Sequence, residues 1–272
     1  MSGYGKSEWA PLKYAEDSAG QSEYERMPCS RNRLAAILGL LRGAGLAGDA
    51  RILEIGCGSG NVAMAMAAAG YRVTAIDVHV PSIEAARKNN LNPNCRFECV
   101  PVEDMDLTVF DALVMTEVLE HVRECGNMLD YLARASRPDA YLILTVPNGG
   151  SVLERLCRPS YMLKHTSWGI RVVQGIKRLL GTRDLTTCDP GTPHVHFFRK
   201  RSLAKLFAHA GYRVERWHQM FWLWPVREIF FLERRHPAHW PQKDFDRSQH
   251  LPSCFCTWWA FCLKKTPRVV EK

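Results

Sequence analysis

A chain of 272 residues is large enough for one α/β domain that carries insertions. Its make-up, 46% hydrophobic and 24% charged, excludes a disordered, collagen-like or low-complexity protein. The formal net charge of +8 is unevenly placed: residues 150–272 hold 22 Lys and Arg against 9 Asp and Glu, whereas residues 1–149 hold 14 against 19. A basic half of this kind can attract nucleic acid, an anionic membrane face or an acidic ligand, and can equally be a solvated surface.

Residues 1–49 are expected to form an N-terminal cap and a helix. The opening thirty residues are polar and irregular, with Trp9, Tyr14 and Tyr24 as anchors. Leu34, Ile37, Leu38, Leu40 and Leu41 then recur at helical spacing, with Ser30 as the expected N-cap and Gly43, Gly45 and Gly48 closing the segment. From residue 50 to 149 strands alternate with helices. Strands are expected at Arg51–Ile55, Arg72–Ile76, Arg96–Val100, Ala112–Met115 and Ala140–Val146, with helices at Asn61–Ala69, Ser82–Asn89 behind Pro81, and Asn127–Ser136. These apolar, β-branched runs lack strict alternation, which suits parallel strands buried on both faces.

Residues 150–193 carry no strand pattern and read as a basic helical insertion, either a lid or a membrane-facing segment. Trp168, Val172, Ile176, Leu179 and Leu180 fall on one face, and Arg171, Lys177 and Arg178 on another. Residues 194–272 complete the core around a second insertion at about 225–253. A helix is expected after Ser202, a strand from Tyr212 to about Trp222, and a last strand at Phe255–Leu263. The expected fold is therefore α/β and Rossmann-like: a seven-stranded, mostly parallel sheet, helices on both faces, and a late antiparallel hairpin strand.

Ten cysteines are scattered without a C-x-x-C pair. With no basic-then-apolar opening and no apolar run of about 18 residues, they read as reduced thiols of a cytoplasmic protein.

The most informative stretch is Leu53-Glu54-Ile55-Gly56-Cys57-Gly58-Ser59-Gly60, which leaves a strand and enters a helix. Gly56 and Gly58 permit a tight turn and let a ligand lie against bare backbone. A dinucleotide loop reads G-x-G-x-x-G, but Asn61 stands at the third glycine's place and Glu54 precedes the loop. Both departures argue against a nicotinamide-dependent oxidoreductase. A carboxylate there repels pyrophosphate but can reach the ammonium of an amino-acid ligand. Asp77, ending Thr74-Ala75-Ile76-Asp77, can accept hydrogen bonds from both ribose hydroxyls. A ribose partner plus an amino-acid partner, without a pyrophosphate cradle, describes S-adenosylmethionine.

With Phe110-Asp111-Ala112-Leu113-Val114-Met115-Thr116-Glu117-Val118-Leu119-Glu120-His121-Val122, these motifs resemble the class I S-adenosylmethionine-dependent methyltransferases. The E-V-L-E-H-V form and the later His196-Phe197-Phe198 through Ala210-Gly211-Tyr212 are most similar to the branch of quinone-precursor O-methyltransferases. The resemblance covers roughly residues 50–149 and 194–222 and the last strand. It implies that Gly56, Cys57, Gly58 and Gly60 wrap the methionine moiety and that Glu54 faces its amino group. It further implies that Asp77 takes the ribose, Val78 packs near the adenine, and Val102 and Glu103 lie at the adenine edge. Thr116 and Glu117 would line the reacting side. Asp104 competes with Glu103, since both are acidic.

If a general base exists, His121 is the first candidate, one helical turn beyond Glu117 and able to share its face. Glu117 itself and His196 are further catalytic candidates. His194, His196 and Trp168 are expected to contact the acceptor. No metal is expected, although Glu117, Glu120 and His121 offer oxygen and imidazole donors. The expected function is methylation of a small molecule, on oxygen of a phenolic, quinone-like or other secondary-metabolite acceptor, yielding S-adenosylhomocysteine. An RNA or protein acceptor is the alternative; no N/D-P-P-Y/F tetrad follows the fourth strand, so no specific nucleic acid is expected. Peripheral membrane contact through residues 150–193 is compatible with a greasy acceptor.

Overall fold

The computed structural model describes residues 28–152, 155, 195–220 and 246–266. The N-terminal cap, most of the 150–193 segment and most of the second insertion therefore lie outside the described residues, and so do His194 and Trp168.

The first described element is helix α1 (Pro28–Gly43). It begins two residues before Ser30, so Ser30 lies in the first turn and is not the cap. Proline tolerates that turn because its missing N–H would have no intrahelical partner there. Strand β1 (Arg51–Ile55) and β2 (Arg72–Ile76) have the expected bounds. Helix α2 (Asn61–Ala68) lies between them, and α3 (Val80–Asn89) follows β2 with a proline in its first turn. Strand β3 is Cys95–Glu98, β4 is Ala112–Thr116 and β5 is Tyr141–Pro147, with helix α4 (Cys125–Ala135) before β5.

Helix α5 (Lys200–His209) leads into β6 (Tyr212–Met220), and β7 (Trp258–Lys265) closes the sheet. Ser202 is inside α5 and acts backwards: the Arg199 N–H donates to its Oγ at 3.1 Å. The last strand starts three residues later than its composition suggests, because Ser253–Phe255 form a single 3₁₀ turn.

The seven strands run in the order β3-β2-β1-β4-β5-β7-β6. β1 through β5 pair in parallel, whereas β7 is antiparallel to both β5 and β6. β7 thus inserts between β5 and β6, and β6 forms the edge. The expected fold class is the one observed. Two apolar layers cover the sheet. Leu34, Ile37, Leu40 and Leu41 of α1 pack with Met66 of α2 and Ile83 of α3 on one face. Leu129 and Leu132 of α4 pack with Leu203 and Phe207 of α5 on the other. Both layers leave the carboxyl ends of β1, β2 and β4 to the loops, where an α/β sheet holds its ligand.

Candidate functional site

The glycine turn follows β1. Its strand end is fixed by the Gly56 and Cys57 N–H groups, which donate to the Ile76 carbonyl at 2.8 and 3.0 Å. Gly56, Gly58 and Gly60 all have positive φ, at 71°, 52° and 81°. They differ in what surrounds them. A Cβ on Gly56 would sit 2.5 Å from the Val118 side chain, and one on Gly60 would sit 2.4 Å from the Phe97 ring. A Cβ on Gly58 would meet nothing within 4 Å. Gly56 and Gly60 are small because protein presses on them, whereas Gly58 turns a bare backbone face to open space.

Asp77 leaves the end of β2 and braces this turn. Its Oδ2 accepts the Gly58 N–H at 2.8 Å and its Oδ1 accepts the His79 N–H at 2.8 Å. A carboxylate has about four acceptor positions, so two remain for a diol. Val78, next in sequence, is 53% exposed. Val102 is instead buried in the second apolar layer, within a 3₁₀ turn whose Glu103 and Asp104 are exposed. Of this trio only the two acidic residues are exposed.

Glu54 lies beneath the turn, 1% exposed, and its Oε2 has no hydrogen-bond partner. The Ala63 N–H in the first turn of α2 donates to its carboxyl, but burial outweighs that bond and pushes the pKa up to about 8. The nearby Asp77 charge adds in the same direction. Cys57 is buried beside it, and desolvation holds its thiol far above the usual range, so it is no nucleophile.

A second group gathers after β4. Thr116 ends the strand half-buried, and its Oγ1 has no hydrogen-bond partner. Glu117 adopts φ 56°, the one positive value at a non-glycine among the described residues. The chain then makes a 3₁₀ turn over Leu119–His121. This corrects the helical spacing expected of Glu117 and His121, because no helix runs through both. Glu117 instead meets Arg33 of α1, with N···O 2.6 Å and side chains 14% and 29% exposed for Arg33 and Glu117. The Arg33 guanidinium also lies 6.0 Å from the Trp258 ring centre.

Glu120 is fully buried, and neither carboxyl oxygen has a hydrogen-bond partner. Burial first, and the Glu117 charge second, hold its carboxyl well above the usual carboxylate range. Its backbone carbonyl accepts the N–H groups of Val195 and His196 at 2.9 and 3.2 Å, tying the returning chain to this turn. The His196 Nε2 pairs with the Arg123 carbonyl at 3.0 Å, and its ring stacks on Phe198. Among the described residues, no group of three or more His, Cys, Asp or Glu is arranged to hold a metal ion.

Beyond β5, Asn148 is buried and knots the loops. Its Nδ2 donates to the Ser253 and Cys256 carbonyls at 2.7 Å each, and its Oδ1 accepts the Gly150 N–H at 2.9 Å. Arg33 and Asn148 escaped sequence reasoning. An arginine on an apolar helix offers no local sign of a partner so far along the chain, and Asn148 sits in an ordinary turn sequence.

A glycine turn at the end of one strand, braced by an acidic residue at the end of the next, is an arrangement in which an α/β sheet can hold a nucleoside ligand. The methyltransferase-domain family matches residues 25–216. The chain belongs to that family and to its class I, S-adenosylmethionine-dependent architecture. It is 32% identical over 157 residues to the mitochondrial ubiquinone biosynthesis O-methyltransferase of Schizosaccharomyces pombe, covering 46% of this chain and 57% of that one. It is 30% identical over 165 residues to the ubiquinone biosynthesis O-methyltransferase of Chromobacterium violaceum, covering 50% of this chain and 71% of that one. The chain thus spans little over half of the yeast relative's length.

Two solved structures share the fold. The magnesium protoporphyrin IX methyltransferase of Synechocystis, with bound SAH, superposes at TM-score 0.51 with 15% identity, covering 91% of this chain and 90% of that one. The 1,6-didemethyltoxoflavin-N1-methyltransferase of Burkholderia thailandensis does so at 0.52 with 16% identity, covering 89% and 80%.

The residues present fit S-adenosylmethionine. Gly58 offers a face that any side chain would fill, Asp77 keeps acceptor capacity for a ribose, and Glu54 has an orphaned buried oxygen below.

Proposed function

We propose that the protein transfers a methyl group from S-adenosylmethionine to an oxygen of a small hydroxyl-bearing acceptor of phenolic or quinone-precursor type. The observation that carries the cofactor half is the open backbone face of Gly58, braced by Asp77. The acceptor half is supported by the two relatives named as ubiquinone biosynthesis O-methyltransferases.

In this reading Asp77 accepts the ribose hydroxyls, Val78 flanks the base with Glu103 at its edge, and Gly56–Gly60 with Glu54 hold the amino-acid end. When bound, the cofactor supplies a methyl carbon on a sulfonium, an electrophile that an oxygen lone pair can attack. The protein's work is then to align the acceptor and take its proton. Glu117 stands at the end of β4, held out of regular strand geometry and gripped by Arg33. A carboxylate in that place can receive the acceptor's proton as the carbon–oxygen bond forms, with His121 on the same turn as the second candidate. His196 contacts the acceptor in this reading, as do His194 and Trp168, which lie outside the described residues.

The same reading places the protein in the cytoplasm, with residues 150–193 against a membrane surface that stores a greasy acceptor. No helix among the described residues is long and apolar enough to cross a membrane. Pelleting with anionic vesicles, lost when residues 150–193 are deleted, supports that placement; equal pelleting removes it.

Two measurements test the assignment. Calorimetry should show S-adenosylhomocysteine binding and no NAD binding. Labelled S-adenosylmethionine should pass its methyl to oxygen of a phenolic metabolite in a cell extract, identified by mass. Label in RNA or protein, or heat on NAD titration alone, overturns the proposal.

A further inference from the structure

The site holds two carboxyls with opposite circumstances. Asp77 is half-buried and each of its oxygens receives a backbone N–H. Glu54 is 1% exposed, with one oxygen unbonded, and only a single backbone N–H is directed to it. The groups that act on it are Asp77 at the end of β2, the Cys57 thiol in the turn, the Cys95 thiol on β3, and the Ala63 N–H of α2. None of these is a cation. A carboxyl sealed from water beside another negative charge keeps its proton unless a positive charge arrives.

We propose that Glu54 is a proton-linked sensor of the ligand's positive charge: it is neutral in the free protein and ionises when S-adenosylmethionine binds, releasing one proton to solvent. The inference rests on the reading that this crevice takes S-adenosylmethionine, which carries a sulfonium and an ammonium. The O–H bond of the Glu54 carboxyl breaks, its electron pair stays on the carboxylate, and the proton passes to buffer. No other bond changes.

Ligand prefers the ionised form, so affinity strengthens as pH rises toward the free-protein midpoint at about 8, near which the ligand's own α-ammonium begins to lose its charge. Below that midpoint the dissociation constant changes nearly tenfold per pH unit.

The test is calorimetry of S-adenosylmethionine binding to the full chain at pH 7 in buffers of different ionisation enthalpy. The plot of observed heat against buffer enthalpy should report close to one proton released per ligand. Glu54→Gln should abolish the release, and His79→Gln should leave it, since His79 beside Asp77 is the rival source. Binding without release, release that survives Glu54→Gln, or release lost in His79→Gln overturns the inference with the cofactor reading intact. If circular dichroism shows Glu54→Gln unfolded, the wild-type affinity between pH 6 and 8 decides: a pH-independent constant overturns it. Absence of any S-adenosylmethionine binding overturns the proposed function itself.

Discussion

The Arg33 guanidinium, from the helix that precedes the sheet, lies 2.6 Å from the Glu117 carboxylate at the end of β4. A left-handed glutamate costs about 1–3 kcal/mol of backbone strain, and such strain persists where surrounding structure over-determines it. Arg33 is part of that surrounding structure. Arg33→Met should therefore destabilise the fold by about 2 kcal/mol, less than the loss for a fully buried pair because both side chains retain some solvent. Urea unfolding followed by tryptophan fluorescence measures it. An unchanged midpoint would show that the pair contributes nothing to holding Glu117.

Asp77 has two duties, bracing Gly58 and, in the proposed function, receiving the ribose. Asp77→Ala should weaken S-adenosylhomocysteine binding roughly 100-fold, equivalent to about 2–3 kcal/mol of hydrogen bonding to a charged acceptor. Calorimetry at fixed salt is sufficient. Retained affinity would remove Asp77 from the cofactor site.

The glycines separate fold from function. Gly56→Ala and Gly60→Ala force a methyl to within 2.5 Å of Val118 and 2.4 Å of Phe97, so both should lower Tm by several degrees. Gly58→Ala meets no protein atom and should cost only about 1–2 kcal/mol for its left-handed backbone, yet it should abolish ligand binding. Thermal scans with and without S-adenosylhomocysteine distinguish the two outcomes. A Gly58→Ala protein still stabilised by ligand would place the ligand elsewhere.

Glu120 bears on pH dependence. Burial and the Glu117 charge raise its carboxyl in the folded state, so the native protein binds a proton that the unfolded chain has released. Stability from this group is greatest below the unfolded value near 4.5 and declines as pH rises above it toward the folded value. Glu120→Gln should flatten that decline and raise Tm at neutral pH, because Gln keeps the shape without the charge. Melting curves from pH 5 to 8 check it; a parallel shift of the two proteins would argue that Glu120 keeps no proton.

The parallel half of the sheet was legible because buried strands are written as short apolar runs. Arg51–Ile55 and Arg72–Ile76 needed no knowledge of their partners. The antiparallel end was legible as well, from two late strands with no long helix between them. Helix starts were not: Ser30 and Ser202 look like caps, but α1 already begins at Pro28, and Ser202 lies inside α5 with Arg199 as its cap. The glycine turn and Asp77 stood out because their chemistry is local. What no pattern revealed was the inside of the site. Which glycine faces outwards depends on Val118 and Phe97, distant in sequence. The left-handed backbone at Glu117 breaks a helical spacing that reads well on paper.

One asparagine has a consequence for how such a protein diversifies. Asn148 clasps both the root of the stretch that follows β5 and the residues that lead into β7. A single side chain at the end of β5 therefore fastens the start of one segment outside the sheet to the end of another. Sequence change between those fixed points can accumulate while the fastening itself stays as it is.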